Sequence, residues 1–425
     1  MDRTLLKNWA ENLQFSTDNV HFPETVGDAI QLVKNLPQMK VLGSRHSFNS
    51  IADDRENLVS SQKLNKIVSL DEEQSTVTVE GGMKYGELCG FLHENGFALH
   101  NLASLPHISI AGSISTATHG SGVDNGNLAT CVSAVELING KGELVNLSRE
   151  DGDVFQGAVV GLGALGLISK VTLDLVPAYD VAQVVYRNLP MEALRENFNS
   201  IMSLGYSVSL FLDWKSNYIN EVWVKKKLLN GESPDFPDNL FGASQSSENI
   251  HPVESMSAES CTEQLGIPGP WYDRLPHFKM EFQPSAGKEL QSEYFVPIEK
   301  AYEALMAVND LAGQISPHLF VSEIRAVKAD ELWLSPCYRQ NSVAIHTTWK
   351  QEIPEVMALL PLVEEKLASF SPRPHWGKLF TISNKALKDR YPRMEDFRGL
   401  MELHDPSGKF RNDFINQNIL GLNAN

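Results

Sequence analysis

The run AGSISTATHGSG, from Ala111 to Gly122, has an unusual composition for a segment of its length. Its twelve residues include no Asp, Glu, Lys or Arg, and most of them are small. Small residues let backbone N–H groups approach an anion, and Ser and Thr hydroxyls add further donors. A second loop of this kind, GSRHSFN, begins at Gly43 after a short apolar run. The pair fits either a dinucleotide held through its phosphates from two sides or two tight turns.

A third glycine-rich stretch, GLGALG from Gly161 to Gly166, matches the pattern GxGxxG. In a Rossmann unit this motif must open a helix, so that the helix N-terminus meets a pyrophosphate. Here it is followed by LISKVTLDLV, whose alternation predicts a strand. The context therefore argues against an NAD fingerprint and favours a closely packed turn, whose exposed N–H groups could still contact a flavin phosphate.

The bulk properties exclude several classes of protein. A length of 425 residues predicts two domains. A net charge of −17 argues against a nucleic-acid partner and gives no basic surface for anionic lipid. The four cysteines lie far apart without a CxxC pair, which indicates free thiols in a reducing compartment. The start of the chain resembles no secretion signal, and no apolar run is long enough to span a membrane. We expect a cytoplasmic monomer.

No metal centre is predicted. None of the twelve histidines forms an HxH or HxxxH-type pair, which argues against a zinc hydrolase. The histidine of the GSRHSFN loop, His46, likewise has no second His, Cys or acid at ligand spacing beside it.

Hydrophobic periodicity predicts an α+β protein whose first boundary lies near residue 178. In the first part, helices are predicted in ETVGDAIQLVKNL and KYGELCGFLHENGFAL, the latter closed by Gly96, and hairpins in KIVSLDEEQSTVTVEGG and CVSAVELINGKGELVNLS. In the second part, the alternating segments YSVSLFLDW, NEVWVKKKLL, LFVSEIRAVK and SVAIHTTW predict an antiparallel sheet with one covered face. Residues 230–270 have little periodicity and predict a long loop.

Strand alternation also predicts a polar surface in the second part. Glu323 and Arg325 are two residues apart in one strand, and His346 and Thr348 are two apart in another, so each pair shares a face. If the strands are neighbours, four polar groups converge on one surface, while Ile324, Ala326, Ile345 and Thr347 face the other side. Taken alone, Glu323 and Arg325 fit a solvated ion pair of little energetic value better than a functional site.

Five segments together resemble a known family: GSRHSFN, LASLPHISIAGSISTATHGSG, GALGLISKVTLDL, SEIRAV and HWGKLF. They are similar to the vanillyl-alcohol-oxidase-type (PCMH-type) flavoproteins and, more narrowly, to the alditol (xylitol) oxidases, which are relatives of the sugar-1,4-lactone oxidases. The resemblance extends over HPVESMSAESCTEQLGIPGPW and the tail HDPSGKFRNDF. It implies a PCMH-type FAD-binding domain at residues 1–178, an antiparallel-sheet substrate (cap) domain at 179–384 and a C-terminal segment, 385–425, that returns to the FAD domain.

The resemblance implies that His46 carries FAD covalently, through the 8α-methyl carbon of the isoalloxazine. An imidazole is nucleophilic enough for this bond, and the glycine turn lets the loop pass close to the cofactor. The alternative is a structural histidine on a turn. The other FAD contacts that the resemblance implies are Val41, Leu42, Gly43, Ser44, Arg45, Ser47, Ser104, Ser109, Gly112, Thr116, Ala117, Thr118, His119, Ile168 and His375.

The resemblance further implies oxidation of the C1 hydroxyl of a linear alditol such as xylitol or sorbitol, with hydride transfer to flavin N5 and reoxidation by O2 to give H2O2. The implied substrate-binding residues are Ser104, Glu323, Arg325, His346, Thr348 and Lys378.

We expect four of these residues to be catalytic. Arg325 and Lys378 would stabilise the developing alkoxide, His346 would act as the base, and Glu323 would orient the C2 hydroxyl. Whether His346 or Lys378 accepts the proton is left open. Lys378 could also be a cation at the core edge with its stem packed.

The donors and acceptors of this residue set suit a polyol, since a lactone or an aromatic alcohol calls for a flatter, more apolar pocket. The alternatives are a sugar-1,4-lactone oxidase or dehydrogenase and, more remotely, a flavin-binding protein without turnover. The polar residue set argues against the last of these, because a carrier needs no convergent Glu, Arg, His and Lys.

Overall fold

The structure is a computed structural model that describes residues 6–228, 232–280, 282 and 288–422. Residues 1–5, which include the start of the segment examined for a secretion signal, lie outside the described residues. So do residues 230 and 231 of the predicted long loop.

The strands, in chain order, are β1 Val20–His21, β2 Lys40–Leu42, β3 Leu58–Ser60, β4 Ile67–Asp71, β5 Thr76–Glu80, β6 Phe97–Ala98, β7 Val132–Ile138, β8 Leu144–Ser148, β9 Leu167–Asp174, β10 Val176–Pro177, β11 Asp180–Pro190, β12 Ser207–Leu212, β13 Tyr218–Leu228, β14 Asn239–Leu240, β15 Ala243–Gln245, β16 Gly269–Pro270, β17 Glu289–Pro297, β18 Leu319–Val327, β19 Ser342–Lys350 and β20 Arg373–Pro374. The helices are α1 Val26–Asn35, α2 Tyr85–Glu94, α3 Ile110–Ser115, α4 Asp153–Val159, α5 Leu194–Met202, α6 Ala301–Asn309, α7 Ala312–Ile315, α8 Ile353–Leu367, α9 Asn384–Arg390, α10 Met394–His404 and α11 Asp413–Ile415.

The first part of the chain builds a small parallel sheet and a larger antiparallel one. The parallel sheet has the order β1-β3-β2, and the antiparallel sheet has the order β4-β5-β9-β7-β8. Both predicted hairpins are confirmed as β4–β5 and β7–β8. Helix α1 joins the two sheets, because Ala29 and Val33 pack in one apolar cluster with Val59 of β3, Ile138 of β7 and Leu167 of β9.

Local signals explain where these helices begin and end. Thr25 and Asp28 form a capping box at the start of α1, which satisfies two N–H groups that the helix leaves open. After α2 the chain turns through Gly96 at a φ of +82°, a backbone conformation that favours glycine, as the sequence predicts. The GLGALG stretch is followed by β9 and not by a helix, so the prediction that it is not a Rossmann fingerprint is confirmed.

The second part of the chain builds a mainly antiparallel sheet, as predicted. Among the described residues it has ten strands, in the order β14-β15-β11-β13-β12-β18-β19-β17-β20, with β16 also paired to β11. One face packs against helices, since Ile324 of β18 and Ile345 of β19 share an apolar cluster with Leu305 of α6 and Leu360 of α8. The other face is therefore free to carry polar groups.

The predicted loop at 230–270 is largely irregular where it is described, but it also contributes strands. β15 and β16 both pair with β11, which gives their backbone groups partners at the edge of the sheet. Such short pairings leave no hydrophobic period in the sequence, which is why the composition predicted only a loop.

The C-terminal segment packs against the first part of the chain. The Asn412 amide donates to the carbonyls of Ser50, Ile51 and Asp53. The Phe410 carbonyl accepts from Nζ of Lys40. These contacts accord with the division into residues 1–178, 179–384 and 385–425, which stays a prediction.

None of the described helices combines the length and the apolar character needed to cross a bilayer. The four cysteines are buried free thiols. The monomeric state and the cytoplasmic location stay predictions.

Candidate active site

One cavity of about 540 Å³ brings the two small-residue loops together with strands β17, β18 and β19. This volume lies in the range of small-molecule and cofactor sites. The predicted FAD-contact residues whose side chains or backbone line it are Val41, Gly43, Ser44, Arg45, His46, Ser47, Ser104, Ser109, Gly112, Thr116, Thr118, His119, Ile168 and His375.

Two residues of the predicted FAD set do not line the cavity. Leu42 lies in strand β2, and alternation turns its side chain away from the cavity into an apolar cluster with Phe15 and Leu58. Ala117 is buried in the main core, at a φ of +54°. The side chains of Leu42 and Ala117 therefore do not line the cavity, and a contact of these residues with FAD, which the resemblance implies for Leu42 through its backbone, stays a prediction.

The two small-residue loops lie against each other. The Ser44 backbone N–H donates to Ser109 Oγ over 3.2 Å, and the Ser109 N–H donates to Ser44 Oγ over 3.1 Å. A side chain at Gly43 would collide with Ser109 Oγ, and Gly112 lies directly behind. The loops thus form one wall in which backbone approaches the cavity closely, which fits a phosphate-bearing ligand.

His46 projects into this cavity from the first loop. Its Nδ1 lies 3.0 Å from Ser44 Oγ, and its ring stacks on Trp9 with centroids 5.1 Å apart. Its Nε2 is buried and has no hydrogen-bond partner among the described residues. Burial lowers the pKa of His46 to about 4, so the ring is neutral and keeps a lone pair at ordinary pH. An unpartnered buried nitrogen of this kind calls for a partner that the described residues do not supply.

The predicted polar face is formed by two neighbouring strands. β18 and β19 are antiparallel, with Glu323 directly opposite His346. Glu323, Arg325, His346 and Thr348 all line the cavity, and Lys378 joins them from the segment after β20. The structure therefore brings together the six residues that the sequence assigned to substrate, Ser104 included.

A seventh residue, Glu293 of β17, lies at the centre of this set. It pairs with His346 from the side opposite Glu323 and is fully buried. Its carboxylate lies 2.7 Å from Arg325 Nη2, 2.7 Å from Lys378 Nζ and 3.2 Å from His119 Nε2. Burial alone would raise the pKa of Glu293, but Lys378, His119 and Arg325 hold it well below the ordinary value. Glu293 is therefore the counter-ion of both cations.

Lys378 and His346 form one hydrogen-bonded pair. Lys378 Nζ lies 2.8 Å from His346 Nδ1, and His346 Nε2 lies 2.9 Å from Thr348 Oγ1. An ammonium can only donate, so Nδ1 accepts and Nε2 carries the proton. Burial, and then Lys378, lower the pKa of His346 well below its ordinary value, which keeps the ring neutral. Both ring nitrogens are thus engaged, and His346 can receive a substrate proton only through Lys378.

Glu323 and Arg325 leave one donor and one acceptor open. Glu323 Oε1 accepts from His277 Nε2 over 2.8 Å. Glu323 Oε2 lies 3.5 Å from Arg325 Nε, and this buried Nε has no hydrogen-bond partner in the described part of the chain. Arg325 reaches Glu293 through Nη2 and Ser104 Oγ through Nη1, the latter at 3.4 Å. A hydroxyl that accepts from Arg325 Nε and donates to Glu323 Oε2 would satisfy both groups.

Sequence reasoning missed Glu293 and His277. Glu293 did leave a signal, because Glu289, Gln291 and Glu293 alternate with Leu290, Ser292 and Tyr294 in ELQSEY, as expected for a strand with one polar face. All three polar residues line the cavity. His277 lies in LPHFKM, which has no period or motif, so only the tertiary structure shows its contact with Glu323.

Comparisons with known proteins agree with this geometry. A family model described as an FAD binding domain matches residues 18–148, and one described as D-arabinono-1,4-lactone oxidase matches residues 284–418. Cholesterol oxidase from Brevibacterium sterolicum has a similar structure, with a TM-score of 0.79 over 98% of this chain and 96% of that chain. Its sequence is only 14% identical, so it shows the fold alone.

Fold and matched domains define the chain as an FAD-dependent oxidoreductase with a two-domain PCMH-type fold. Alditol oxidase from a Streptomyces species is 44% identical over 97% of this chain and 98% of that protein. L-gulonolactone oxidase from Mus musculus is more distant, at 26% identity over 96% of this chain and 97% of that protein. The chain belongs to the alditol oxidase family.

Proposed function

We propose that this protein oxidises the terminal C1 hydroxyl of linear alditols to the corresponding aldose, with FAD as cofactor and O2 as final acceptor. The proposal rests on one observation. Glu323 Oε2 and Arg325 Nε, which we call the open pair, are both left available for a substrate hydroxyl. They lie beside the Lys378 ammonium, in the cavity that also contains His46. The alditol oxidase relative, similar along its whole length, supports the same substrate class.

The cavity suits FAD held covalently through His46. The Ser44 and Ser109 loops supply small residues and backbone at one wall, and the buried Nε2 of His46 lacks a partner among the described residues. Bound FAD supplies the two-electron acceptor that takes a hydride from C1, and its reoxidation by O2 yields H2O2. The neutral state of His46, which burial favours, provides the nucleophilic lone pair that a covalent bond requires.

Substrate orientation comes from the open pair. The C2 hydroxyl accepts a hydrogen bond from Arg325 Nε and donates one to Glu323 Oε2, which completes the hydrogen bonding of both buried groups. An alditol has a hydroxyl on every carbon, so it always provides one next to C1. Ser104, which contacts Arg325, lies at the same wall and offers a further hydroxyl.

Proton removal from C1–OH falls to Lys378 and His346. The Lys378 ammonium and the Arg325 guanidinium stabilise the negative charge that develops on O1. The proton passes to Lys378 Nζ while Lys378 gives one of its own to His346 Nδ1, the acceptor 2.8 Å away. The hydrogen bonding supports this order, because the Nδ1 lone pair of His346 is already engaged by Lys378 Nζ and its Nε2 by Thr348.

Peroxide release by the purified protein tests the substrate class. We expect rapid peroxide formation with xylitol and sorbitol and slow formation with L-gulono-1,4-lactone at the same concentration. The lactone is the informative competitor because a D-arabinono-1,4-lactone oxidase model matches residues 284–418. Faster oxidation of the lactone than of either alditol would contradict the proposal and favour a sugar-lactone oxidase.

Replacing His46 with alanine is expected to abolish the covalent bond to the flavin. The variant lacks the nucleophile but keeps the Ser44 and Ser109 loops, so it should still bind FAD reversibly. Intact-mass measurement of the denatured polypeptide, together with its colour after acid precipitation, gives the readout. The matched control is His318→Ala, a histidine that pairs with Glu352 and lines neither this cavity nor the pocket that adjoins His46. A His46→Ala chain that remains yellow and heavier by one FAD after denaturation would show that another residue carries the flavin.

A further inference from the structure

Behind Glu323, on the side away from its open oxygen, lies a buried lysine. Lys225 of β13 is 1% exposed. Its Nζ donates to the carbonyls of Leu275 and Pro276 over 2.5 and 3.1 Å and lies 3.3 Å from Nδ1 of His277. Burying a lysine costs free energy that an apolar side chain would not incur. The contacts of Lys225 should therefore show what offsets this cost.

The groups on either side of His277 fix its tautomer. Burial lowers the pKa of Lys225 to about 7, so the lysine alone does not decide which neighbour donates. Burial would raise the pKa of Glu323, but Arg325 and His277 hold it well below its ordinary value, so its carboxylate can only accept. The ring nitrogen that faces Glu323, Nε2, must therefore donate, and Nδ1, which faces Lys225, is left as the acceptor. The proton then sits on Nε2, which donates to Glu323 Oε1 over 2.8 Å. A second proton on His277 would face the Lys225 charge, and burial followed by Lys225 lowers the pKa of His277 to about 4. His277 is thus a neutral, one-way donor to Glu323.

Packing holds the ring in this orientation. His277 makes edge contacts with Phe211 and Trp223, with ring centroids 5.5 and 5.2 Å away. Its backbone N–H donates to the Ser104 carbonyl over 3.2 Å, which ties it to another wall of the cavity. The other charged or titratable groups that act on Lys225 or His277 are Glu323, Arg325, Arg274 and the Cys261 thiol.

We propose that Lys225 and His277 are positioning residues that occupy Glu323 Oε1 and thereby leave Oε2 as the oxygen that binds a substrate hydroxyl. This inference rests on the proposed function and deepens it, because it explains how a carboxylate with two equivalent oxygens presents one of them to an alditol. Without the His277 donor, Glu323 could rotate toward Arg325 Nε and close the gap of 3.5 Å that the substrate hydroxyl needs.

Two substitutions at position 277 separate this role from simple packing. Glutamine keeps a donor toward Glu323 and an acceptor toward Lys225, whereas leucine fills similar space without either. We expect His277→Leu to raise the KM for xylitol on the order of tenfold, and His277→Gln to stay close to the unchanged protein. The same loss is expected for the dissociation constant of xylitol from the oxidised holoenzyme, measured by the perturbation of flavin absorbance, which does not depend on turnover.

Two lysines on strand β13, Lys225 and Lys227, provide a second test variant and its control. Lys225→Met removes the contact that holds His277 Nδ1 and so keeps the ring turned toward Glu323, and a rise in KM on the same order is expected. Lys227→Met, two residues along the strand, removes a cation that lies over the Tyr179 ring, 4.0 Å from its centroid, outside the cavity, and serves as the control. If His277→Leu or Lys225→Met folds, retains its flavin and binds xylitol as tightly as the unchanged protein, the inference is wrong.

The tautomer itself is measurable in the unchanged holoenzyme by ¹⁵N NMR of its histidines, with the His277 signal assigned by its loss in His277→Gln. We expect a protonated Nε2 and an unprotonated Nδ1. The reverse pattern would overturn the inference even if the protein oxidises alditols. A protein that oxidises no alditol would instead refute the proposed function, and the NMR result would still decide the state of His277.

Discussion

Replacing Lys378 with methionine is expected to slow the reduction of the bound flavin by xylitol on the order of 100- to 1000-fold, the range found when one preorganised donor to a developing oxyanion is removed. Lys378 Nζ is the cation that joins Glu293 and His346 at 2.7 and 2.8 Å. Methionine keeps most of the stem volume but removes both the charge and the route of the proton to His346. Anaerobic stopped-flow mixing, which follows flavin absorbance directly, measures this step without the later reaction with O2.

The matched control for this variant is Lys388→Met, in which a lysine that pairs with Glu395 at the surface is lost. Exposed pairs of this kind contribute little to stability, and the position is not part of the cavity. Equal reduction rates in Lys378→Met and in the control would remove Lys378 from the chemistry and leave it a core-edge cation.

Replacing Glu293 with glutamine is expected to lower the stability of the protein and to shift the pH dependence of the reaction. The substitution keeps the shape of the side chain but leaves Arg325 and Lys378 without their shared counter-ion. Removing one partner of a buried ion pair costs about 3–5 kcal/mol of unfolding free energy. Thermal or denaturant unfolding of the variant should therefore show a large loss, and its FAD content should be measured alongside.

The pH effect of Glu293→Gln has a definite direction. Burial lowers the pKa of Lys378, while Glu293 raises it. The reaction needs the protonated form of Lys378, so activity falls as pH rises through this pKa. Removing the Glu293 charge lowers the pKa further, and the alkaline limb of the pH–rate profile should move to lower pH.

A control for this second variant is Glu136→Gln, which breaks the partly buried pair with Lys170 in the sheet of the first part of the chain. That variant should lose stability without any shift of the alkaline limb. An alkaline limb unchanged in Glu293→Gln would show that Glu293 does not set the charge state of Lys378.

The strand pattern predicted part of this site because a period of two residues assigns each side chain to a face. This alternation alone places Glu323 and Arg325 on one face of their strand, and His346 and Thr348 on one face of theirs. What the pattern could not supply was the order of the strands. The register that places His346 between Glu323 and Glu293 depends on β17 pairing with β19, and those strands are separated in sequence by two helices and β18.

The sequence also left the role of the two small-residue loops open. Small residues at Gly43 and Gly112 indicated a close backbone approach, but either a tight turn or a phosphate site would have produced the same composition. The reciprocal hydrogen bonds between Ser44 and Ser109 show that the two loops form one wall. Local backbone geometry determines where the Leu42 and Ala117 side chains point. A match to a sequence motif carries no information about that direction.

Contacts such as those of His277 lie beyond sequence reasoning for a physical reason. Its partners, Lys225 and Glu323, come from two different strands, and the residue itself lies outside any regular element. No local propensity selects such a position, because the free energy that fixes it comes from the tertiary contacts of its ring and backbone.

If the proposed function is right, this cavity presents the C1 hydroxyl of an alditol to a bound flavin. The direct measurement is anaerobic mixing of the purified yellow protein with xylitol, followed at the flavin absorbance maximum, with L-gulono-1,4-lactone as the parallel sample. We expect rapid and complete bleaching by xylitol and little change with the lactone. A protein that stays yellow with xylitol and sorbitol but is bleached by the lactone would contradict the proposed function.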